Sequence, residues 1–288
     1  MRILVTGSRG FTGQHLCSFL YERGHDVIEL NADLTDLSSV SAETESIQPE
    51  WVIHLAGVSS VTHRDANDFY QSNVIGTRNL LEALDGQDAI PKAVLLASSG
   101  NVYGNRAGGK FLETSPFDPV NDYAFSKVAM ELMARLWTDK LPIIVTRPFN
   151  YTGPKQTNDF LVPKLVDHFS RRAPILQIGN LDVEREFNDV RMVCESYLAL
   201  LSYGKPGEVY NVCSGRPYTL VAVIDLLSEL TSHRIKVERN SAYVRKNEVR
   251  QLYGDPTKLQ KLLREVKASP PCFTLRDTLN WMLCQART

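Results

Sequence analysis

The sequence is poor in cysteine, and its few cysteines are not spaced for a metal site or a disulfide framework. Among 288 residues there are five, an odd number, and no CxxC or CxxxH spacing occurs. We therefore expect reduced thiols and no bound metal, which excludes small disulfide-stapled folds and zinc modules. The five positions are Cys17, Cys194, Cys213, Cys272 and Cys284.

An excess of either charge is also missing. The chain carries 32 Lys and Arg against 33 Asp and Glu, so it has no general basic field for nucleic acid or an anionic membrane surface. No apolar stretch reaches membrane-spanning length, and residues 1–5 run into a glycine-rich turn without room for a signal peptide. We expect a cytoplasmic protein that binds neither nucleic acid nor membrane, and whose phosphate binding is local.

Short apolar runs that alternate with amphipathic stretches dominate the first half of the chain. The runs at 3–6, 27–30, 52–55, 94–97, 143–146 and, later, 208–212 are typical of buried strands. Helical stretches at 14–22, 68–84 and 122–137 lie between them. This βαβ rhythm predicts an α/β fold with a doubly wound parallel sheet of Rossmann type, in which ligands bind at the carboxyl ends of the strands.

Beyond residue 148 the rhythm loosens, and prolines interrupt the pattern. We expect residues 1–150 to form a dinucleotide-binding domain, to which residues 180–213 return. Residues 151–179 and 214–288 are then a smaller, discontinuous α/β domain that binds the substrate.

Residues 6–13 read TGSRGFTG, with Gly7, Gly10 and Gly13 at GxxGxxG spacing between a predicted strand and a predicted helix. Glycines permit a tight turn, and the helix N-terminus offers N–H groups to a diphosphate, so the loop predicts dinucleotide binding. An NAD-preferring site usually ends its second strand with an acid that bonds the ribose 2′-OH, but Asn31 stands there. With no carboxylate to repel a 2′-phosphate and Arg9 to pair with one, NADPH is favoured over NADH.

Tyr123 and Lys127 form a YxxxK pattern in a predicted helix, so their i, i+4 spacing puts phenol and ammonium on one face. An ammonium beside a phenol lowers the pKa of the phenol and makes it a usable proton donor and acceptor. Ser99 follows a predicted core strand, which brings its hydroxyl to the ligand-binding end of the sheet. The three residues predict acid/base chemistry on a bound ligand.

The motifs occur in an order that resembles the extended short-chain dehydrogenase/reductase family of nucleotide-sugar epimerases, dehydratases and reductases. The shared runs are TGxxGxxG at 6–13, HLAG at 54–57, NVIGT at 73–77, SSxxVYG at 98–104, YxxxK at 123–127 and RPFN at 147–150. The resemblance implies an NAD(P)-dependent oxidoreductase. It implies that Ser99 bonds the reacting sugar oxygen, that Tyr123 is the acid/base and that Lys127 also binds the nicotinamide ribose.

The resemblance also implies binding residues. Asp33 and Leu34 would contact the adenine ring, although Asp33 could equally cap a helix that starts near Leu37. The expected cofactor-binding set is Gly7, Arg9, Gly10, Phe11, Thr12, Gly13, Asn31, Asp33, Leu34, Leu55, Ala56, Gly57, Tyr123, Lys127 and Pro148. The expected substrate-binding set is Ser99, Asn101, Asn150, Arg185, Arg245, Glu248 and Arg250.

The residue two positions before Tyr103 helps to distinguish between the reactions that members of this family catalyse. Dehydratases of the family carry an acidic residue at this position. The GDP-fucose synthase branch carries a cysteine at this position and a histidine near Phe160. This chain has Asn101 instead, and it lacks the cysteine and the histidine. The short segment 29–36 resembles reductases that release their cofactor in each turnover. These features favour reduction of a 4-keto-6-deoxy sugar. A 4-epimerase stays an alternative because the same three catalytic residues serve it, and a non-catalytic nucleotide sensor is a further one.

Residues 245–258 resemble the RPxEVxxLxGDxxK stretch of the GDP-mannose dehydratase branch. The resemblance therefore favours a GDP-linked sugar, with a dTDP-linked sugar as the alternative. It also implies a homodimer through paired helices, for which 68–84 and 122–137 are the candidates. Their apolar positions could equally pack on the sheet of one monomer.

Overall fold

The computed structural model describes residues 1–59, 65–105, 110–241, 249–268 and 273–286. The strands are β1 (Arg2–Thr6), β2 (Asp26–Glu29), β3 (Trp51–His54), β4 (Ala93–Ala97), β5 (Lys110–Phe111), β6 (Ile143–Pro148), β7 (Tyr151–Thr152), β8 (Ile175–Ile178), β9 (Glu184–Arg185), β10 (Asn188–Asp189), β11 (Val209–Val212), β12 (Tyr218–Thr219), β13 (Lys236–Arg239) and β14 (Gln251–Gly254). The α-helices are α1 (Phe11–Glu22), α2 (Leu37–Ile47), α3 (Ala66–Tyr70), α4 (Thr77–Asp85), α5 (Asp122–Ala134), α6 (Leu161–Ser170), α7 (Val190–Tyr203), α8 (Leu220–Thr231), α9 (Thr257–Glu265) and α10 (Leu275–Ala286).

A parallel sheet of six strands in the order β11-β6-β4-β3-β1-β2 confirms the predicted doubly wound fold. Each of the six apolar runs forms one of these strands, because a strand covered on both faces must be apolar throughout. The chain crosses from β1 to β2 on one side and to β3 and its neighbours on the other. The strand order therefore reverses at β1 and β3, which is where such sheets bind ligands.

Helices cover both faces of this sheet. On one face α1 and α7 pack against the strands, with Leu16, Leu20 and Leu200 fully buried. On the other face lie α2, α4 and α5, where Leu80 and Met130 are fully buried. The two cores fix the carboxyl ends of the strands relative to α1 and α5, the helices that carry the predicted site.

A third core lies apart from the sheet. It joins α6, α8 and α10 around residues such as Leu165, Leu227 and Leu279. Short strands that the sequence pattern did not predict form the small sheets β12-β9-β14-β5, β10-β7 and β13-β8. Helix α9, although late in the chain, places Leu259 and Leu262 in the core under the large sheet. The division of the chain into a cofactor-binding and a substrate-binding domain stays a prediction.

The predicted helix at 68–84 is interrupted. It consists of α3, a π-helical turn over Gln71–Gly76 and α4. Such a turn inserts a residue into the helix, and here it carries Asn73, whose Nδ2 donates to Ser126 Oγ on α5 at 2.8 Å. The predicted helix at 122–137 is α5 followed by a 3-10 turn over Arg135–Trp137. Within the described ranges, no helix has the length and apolar character needed to cross a membrane.

Candidate active site

The glycine loop between β1 and α1 presents backbone rather than side chains. Gly7 has a φ of +72°, and a Cβ on Gly13 would lie 2.2 Å from the Gly7 carbonyl oxygen, so neither position admits a side chain unless the loop moves. Gly10 is the N-cap of α1 and has no side chain to bond the N–H groups of the first turn, whereas Asp36 caps α2 and Asn121 caps α5. The N–H groups of this turn therefore suit an anion, and the loop fits the diphosphate of a dinucleotide.

Two cavities meet at this loop. The larger, of about 570 Å³, extends from the loop to the ends of β4 and β6, and the smaller, of about 360 Å³, lies over the ends of β1 and β2. Gly7, Ala56 and Val58 line both, so one extended ligand can occupy the two cavities together. The predicted residues that line the larger cavity are Gly7, Gly10, Phe11, Thr12, Gly13, Leu55, Ala56, Gly57, Ser99, Asn101, Tyr123, Lys127, Pro148 and Asn150.

The smaller cavity has the size and apolar surface that a purine ring requires. Leu30 and Leu34 line it together with Asp33. Asp33 accepts hydrogen bonds from the backbone N–H and the hydroxyl of Thr35, both at 2.8 Å, and so closes a tight turn. The cap of α2 is Asp36, so the alternative that Asp33 caps this helix is wrong.

Two carboxylates that the sequence interpretation missed lie close to the segment that follows β2. Arg9 Nη2 donates to Asn31 Oδ1 at 3.4 Å, so these side chains are neighbours as expected. However, Glu43 on α2 accepts the backbone N–H of Asn31 at 3.0 Å, and Ser8 donates to Glu29 at 2.6 Å. Position 31 itself carries no carboxylate, as the sequence shows, but Glu29 and Glu43 bring two carboxylates close to it that the sequence interpretation missed.

The three predicted catalytic residues come together at the carboxyl end of β4. Tyr123 and Lys127 lie buried one turn apart on α5, and the Ser99 side chain lies close enough to the Tyr123 phenol to favour its charged form. The backbone N–H and the side-chain amide of Asn101 donate to Ser99 Oγ at 3.2 and 3.1 Å, which leaves the Ser99 proton for the phenol. Lys127 Nζ donates to the Ala97 carbonyl oxygen at 2.8 Å and is thereby fixed beside the strand end.

Burial controls the ionisation of these groups. It raises the pKa of Tyr123 above its ordinary value, against the effect of the hydrogen bond from Ser99. It lowers the pKa of Lys127 to about 8, which the Glu131 carboxylate partly offsets. The prediction that the pKa of Tyr123 is lowered is wrong, because desolvation of the phenolate outweighs the effect of Ser99. The phenol is therefore protonated, as a proton donor must be.

A buried ion pair that the sequence interpretation missed lies beneath the lysine. Glu131 accepts hydrogen bonds from Arg147 Nη2 at 2.7 Å and from the Ser98 hydroxyl at 2.5 Å. Both ion-paired side chains are 3% exposed. Arg147 also donates to the Tyr103 hydroxyl at 2.8 Å. The sequence contained one signal for this ion pair: a glutamate one turn after Lys127, on a helix face that packs on the sheet.

Few groups in the larger cavity can transfer a proton. Among the described residues its lining includes Tyr123, Tyr151 and Lys127, but no carboxylate, imidazole or thiol. The sequence interpretation missed Tyr151, which has no motif. The site can therefore protonate a ligand oxygen, but in the described lining it has no additional acid or base of the kinds that elimination or C–H proton removal uses.

The predicted substrate-binding residues do not all reach the cavity. Asn101 and Asn150 line it. Arg185 is buried in β9, where its guanidinium donates to two backbone carbonyls, and it is not among the described lining residues. Arg250 lies exposed just before β14. The remaining two, Arg245 and Glu248, lie outside the described residues.

Comparison with known proteins places these features in context. Residues 3–213 match the family model described as the NAD dependent epimerase/dehydratase family. The chain is 34% identical to a GDP-6-deoxy-D-talose 4-dehydrogenase of Aggregatibacter actinomycetemcomitans over 91% of both chains. It is 34% identical to a GDP-6-deoxy-D-mannose reductase of Pseudomonas aeruginosa, over 98% of this chain and 96% of the relative. The structure of RMD from Pseudomonas aeruginosa complexed with NADPH matches with a TM-score of 0.89 and 32% identity, over 99% of this chain and 98% of that chain.

Proposed function

Because the chain belongs to the NAD dependent epimerase/dehydratase family, within the extended short-chain dehydrogenases/reductases, we propose that it reduces the 4-keto group of a nucleotide-linked 4-keto-6-deoxy sugar. It is an NAD(P)-dependent oxidoreductase with a Rossmann fold. The substrate that we favour is GDP-4-keto-6-deoxy-D-mannose, and the product is GDP-D-rhamnose.

The lining of the larger cavity is the observation that supports reduction over dehydration and over epimerisation beside a ketone, although a 4-epimerase would use the same three residues. Loss of water from a sugar, and epimerisation beside a ketone, both need an acid or base in addition to the tyrosine. In the described lining Asn101 donates to Ser99, and its neutral amide does not act as a general acid or base near neutral pH. Reduction of a ketone needs one proton donor, and Tyr123 provides it.

The residues then have distinct tasks. Bound NAD(P)H supplies the hydride that reduces the keto carbon. Tyr123 donates its phenol proton to the carbonyl oxygen, which completes the alcohol, and Ser99 donates a hydrogen bond to the same oxygen as negative charge develops. Two N–H groups of Asn101 donate to Ser99 Oγ, so the serine hydroxyl keeps its own proton to donate to the carbonyl oxygen of the substrate. The ammonium of Lys127 stabilises the tyrosinate until solvent reprotonates it.

The names of the two relatives support GDP as the nucleotide, since both include a GDP-linked 6-deoxy sugar. A dTDP-linked sugar is the alternative. One name contains talose and the other mannose, two sugars that differ in configuration at carbon 4. The configuration of the product therefore depends on which face of the ketone meets the nicotinamide, and Asn150, exposed at the cavity, is placed to affect this.

We propose that both NADPH and NADH serve as cofactor, with NADPH preferred by a small margin. Arg9 favours a 2′-phosphate beside Asn31. Glu29 and Glu43 oppose it, because two carboxylates repel a further negative charge. The division into a cofactor domain of residues 1–150 with 180–213, and a sugar-nucleotide domain of residues 151–179 and 214–288, is likewise proposed, as are a homodimer and a cytoplasmic location.

A substrate panel tests the proposal. The purified protein is mixed with NADPH or NADH and with the GDP-, dTDP- and UDP-linked forms of a 4-keto-6-deoxy sugar, and cofactor oxidation is followed by absorbance. We expect the highest kcat/KM with the GDP-linked ketone. In Tyr123→Phe, turnover should fall about 100-fold or more, while NADPH binding is kept, because only the proton donor is lost. Failure with all three ketones would instead support an epimerase or a nucleotide sensor.

A further inference from the structure

A pair of hydroxyl groups lines the larger cavity where α1 faces β7. Thr12 is the second residue of α1 and Tyr151 is the first residue of β7, and their hydroxyl oxygens lie 2.6 Å apart. Both side chains are partly buried and both face the cavity. The contact joins the glycine loop to a segment 139 residues further along the chain.

The two hydroxyls have more protons than their mutual bond uses. Each carries one, and the bond between them takes one. In the described part of the chain, neither oxygen has another hydrogen-bond partner. One O–H is therefore left to donate to a ligand in the cavity. A donor in such a place is costly unless an acceptor reaches it, so a bound ligand with oxygen atoms gains from this group.

The phenol is held in a fixed position relative to the glycine loop. The Tyr151 ring stacks on Phe11, the first residue of α1, with ring centroids 6.0 Å apart and an interplanar angle of 21°. Phe11 in turn meets the edge of His15, whose Nε2 bonds the Pro154 carbonyl oxygen at 2.8 Å. Burial raises the pKa of Tyr151 to about 12, so the phenol is a neutral donor at all working pH values. The ring therefore holds its hydroxyl beside the first turn of α1.

We propose that Tyr151, oriented by a hydrogen bond from Thr12, donates its own proton to the diphosphate of the dinucleotide cofactor. The uncapped first turn of α1, in which Thr12 lies, offers its N–H groups to the same anion. The diphosphate is then held from one side by backbone donors and from the other by a phenol outside the glycine motif. This inference rests on the NAD(P) dependence of the family and not on the identity of the sugar.

Three ligands that all contain adenosine test whether Tyr151 contacts the diphosphate. The affinities of NADPH, ADP-ribose and adenosine are measured for wild-type protein and for Tyr151→Phe, which keeps the stacked ring. We expect the affinities for NADPH and ADP-ribose to fall by the same factor, about tenfold or more, as for a lost bond to a charged acceptor. Adenosine, which has no phosphate, should bind both proteins equally. A loss confined to NADPH would place Tyr151 at the nicotinamide end and overturn the proposal, as would unchanged affinity for all three.

The role of Thr12 is tested by a double-mutant cycle. Thr12→Val keeps the shape of the side chain and removes the hydroxyl, so it should weaken ADP-ribose binding, and the double variant should bind no worse than Tyr151→Phe alone. Additive losses would contradict the orienting role of Thr12. Tyr203→Phe, at the half-exposed end of α7, is the matched control and should leave all affinities unchanged. Thermal unfolding of the free proteins separates a loss of binding from a loss of fold, and no step of the test involves the sugar nucleotide.

Discussion

Burial lowers the pKa of the catalytic residue Lys127. Its Nζ lies buried against the Ala97 carbonyl oxygen, and desolvation lowers its pKa to about 8, while Glu131 acts in the opposite direction. Arg147 neutralises much of this glutamate, since the two form a buried pair. The ammonium is therefore charged at neutral pH but loses its proton well below the range of an exposed lysine.

The pH dependence of the reaction rate should show the loss of the proton from Lys127. We expect kcat/KM for NADPH to decrease as the pH rises through about 8, because the active form carries the ammonium and kcat/KM reports the free enzyme. Three described neighbours do not titrate there: burial raises the pKa of Tyr123 and lowers that of His54 to about 3, and the ion pair with Glu131 raises that of Arg147. Initial rates at constant ionic strength across the pH range provide the measurement.

Lys127→Arg is the control for this assignment. Arginine keeps its charge over the accessible pH range, so the variant should lose the decrease near pH 8 even where its overall rate is lower. If the same decrease persists in Lys127→Arg, another group causes it.

Among single residues, the sequence predicts those that belong to a motif but not those that only folding brings close to the site. Tyr123 and Lys127 could be paired because both lie on one helix. Glu43 and Tyr151 could not be placed, since each reaches the site from a distant segment and neither stands in a recognisable pattern. The direction of the pKa shift of Tyr123 was also inaccessible, because it depends on burial, which spacing does not give.

Among the strands, those of the large parallel sheet could be predicted from the sequence and those of the small sheets could not. The six strands of the large sheet are four to six residues long and apolar, and all were predicted. Strands β5, β7, β9, β10 and β12 have two residues each, too few to show alternation, and were not predicted; neither were β8, β13 and β14, which have four residues each. The interruption of the 68–84 helix was also missed, because a π-helical turn leaves no clear trace in hydrophobic periodicity.

The outer face of α5 and its 3-10 extension exposes large apolar side chains. Phe125, Leu132 and Leu136 are 52%, 44% and 74% exposed, and their spacings of seven and four residues put them on one face. Tyr70 and Ile75, from the neighbouring helical segment, are also exposed. An apolar face of this kind supports the proposed homodimer through paired helices.

A charge on this face should therefore dissociate the dimer. In sedimentation velocity experiments we expect wild-type protein to sediment as a dimer and Leu136→Asp as a monomer, because the aspartate would be desolvated in the interface. Val221→Asp, at a 53% exposed position on α8, is the matched control and should stay dimeric. A monomeric wild-type protein, or a dimer that tolerates Leu136→Asp, would contradict the interface.

At the scale of the whole molecule, the position of the site follows from the topology. The sheet reverses its strand order at β1 and β3, and the two cavities meet at Gly7, Ala56 and Val58, on the loops that follow these strands. The sequence could predict this location because the rule for parallel sheets needs only the order of the strands. It could not predict the orientation of Arg185, which depends on small sheets of non-local pairing and turns the side chain towards backbone carbonyls.

The most direct test of the account is to follow the transferred hydrogen. NADPH deuterated at both positions of nicotinamide carbon 4 is supplied with GDP-4-keto-6-deoxy-D-mannose, and the sugar product is examined by mass spectrometry and NMR. We predict one deuterium at carbon 4 of the sugar and one NADP⁺ formed for each ketone reduced. A sugar without deuterium, or inversion at carbon 4 of a saturated sugar nucleotide without net consumption of NADPH, would contradict the proposed carbonyl reduction.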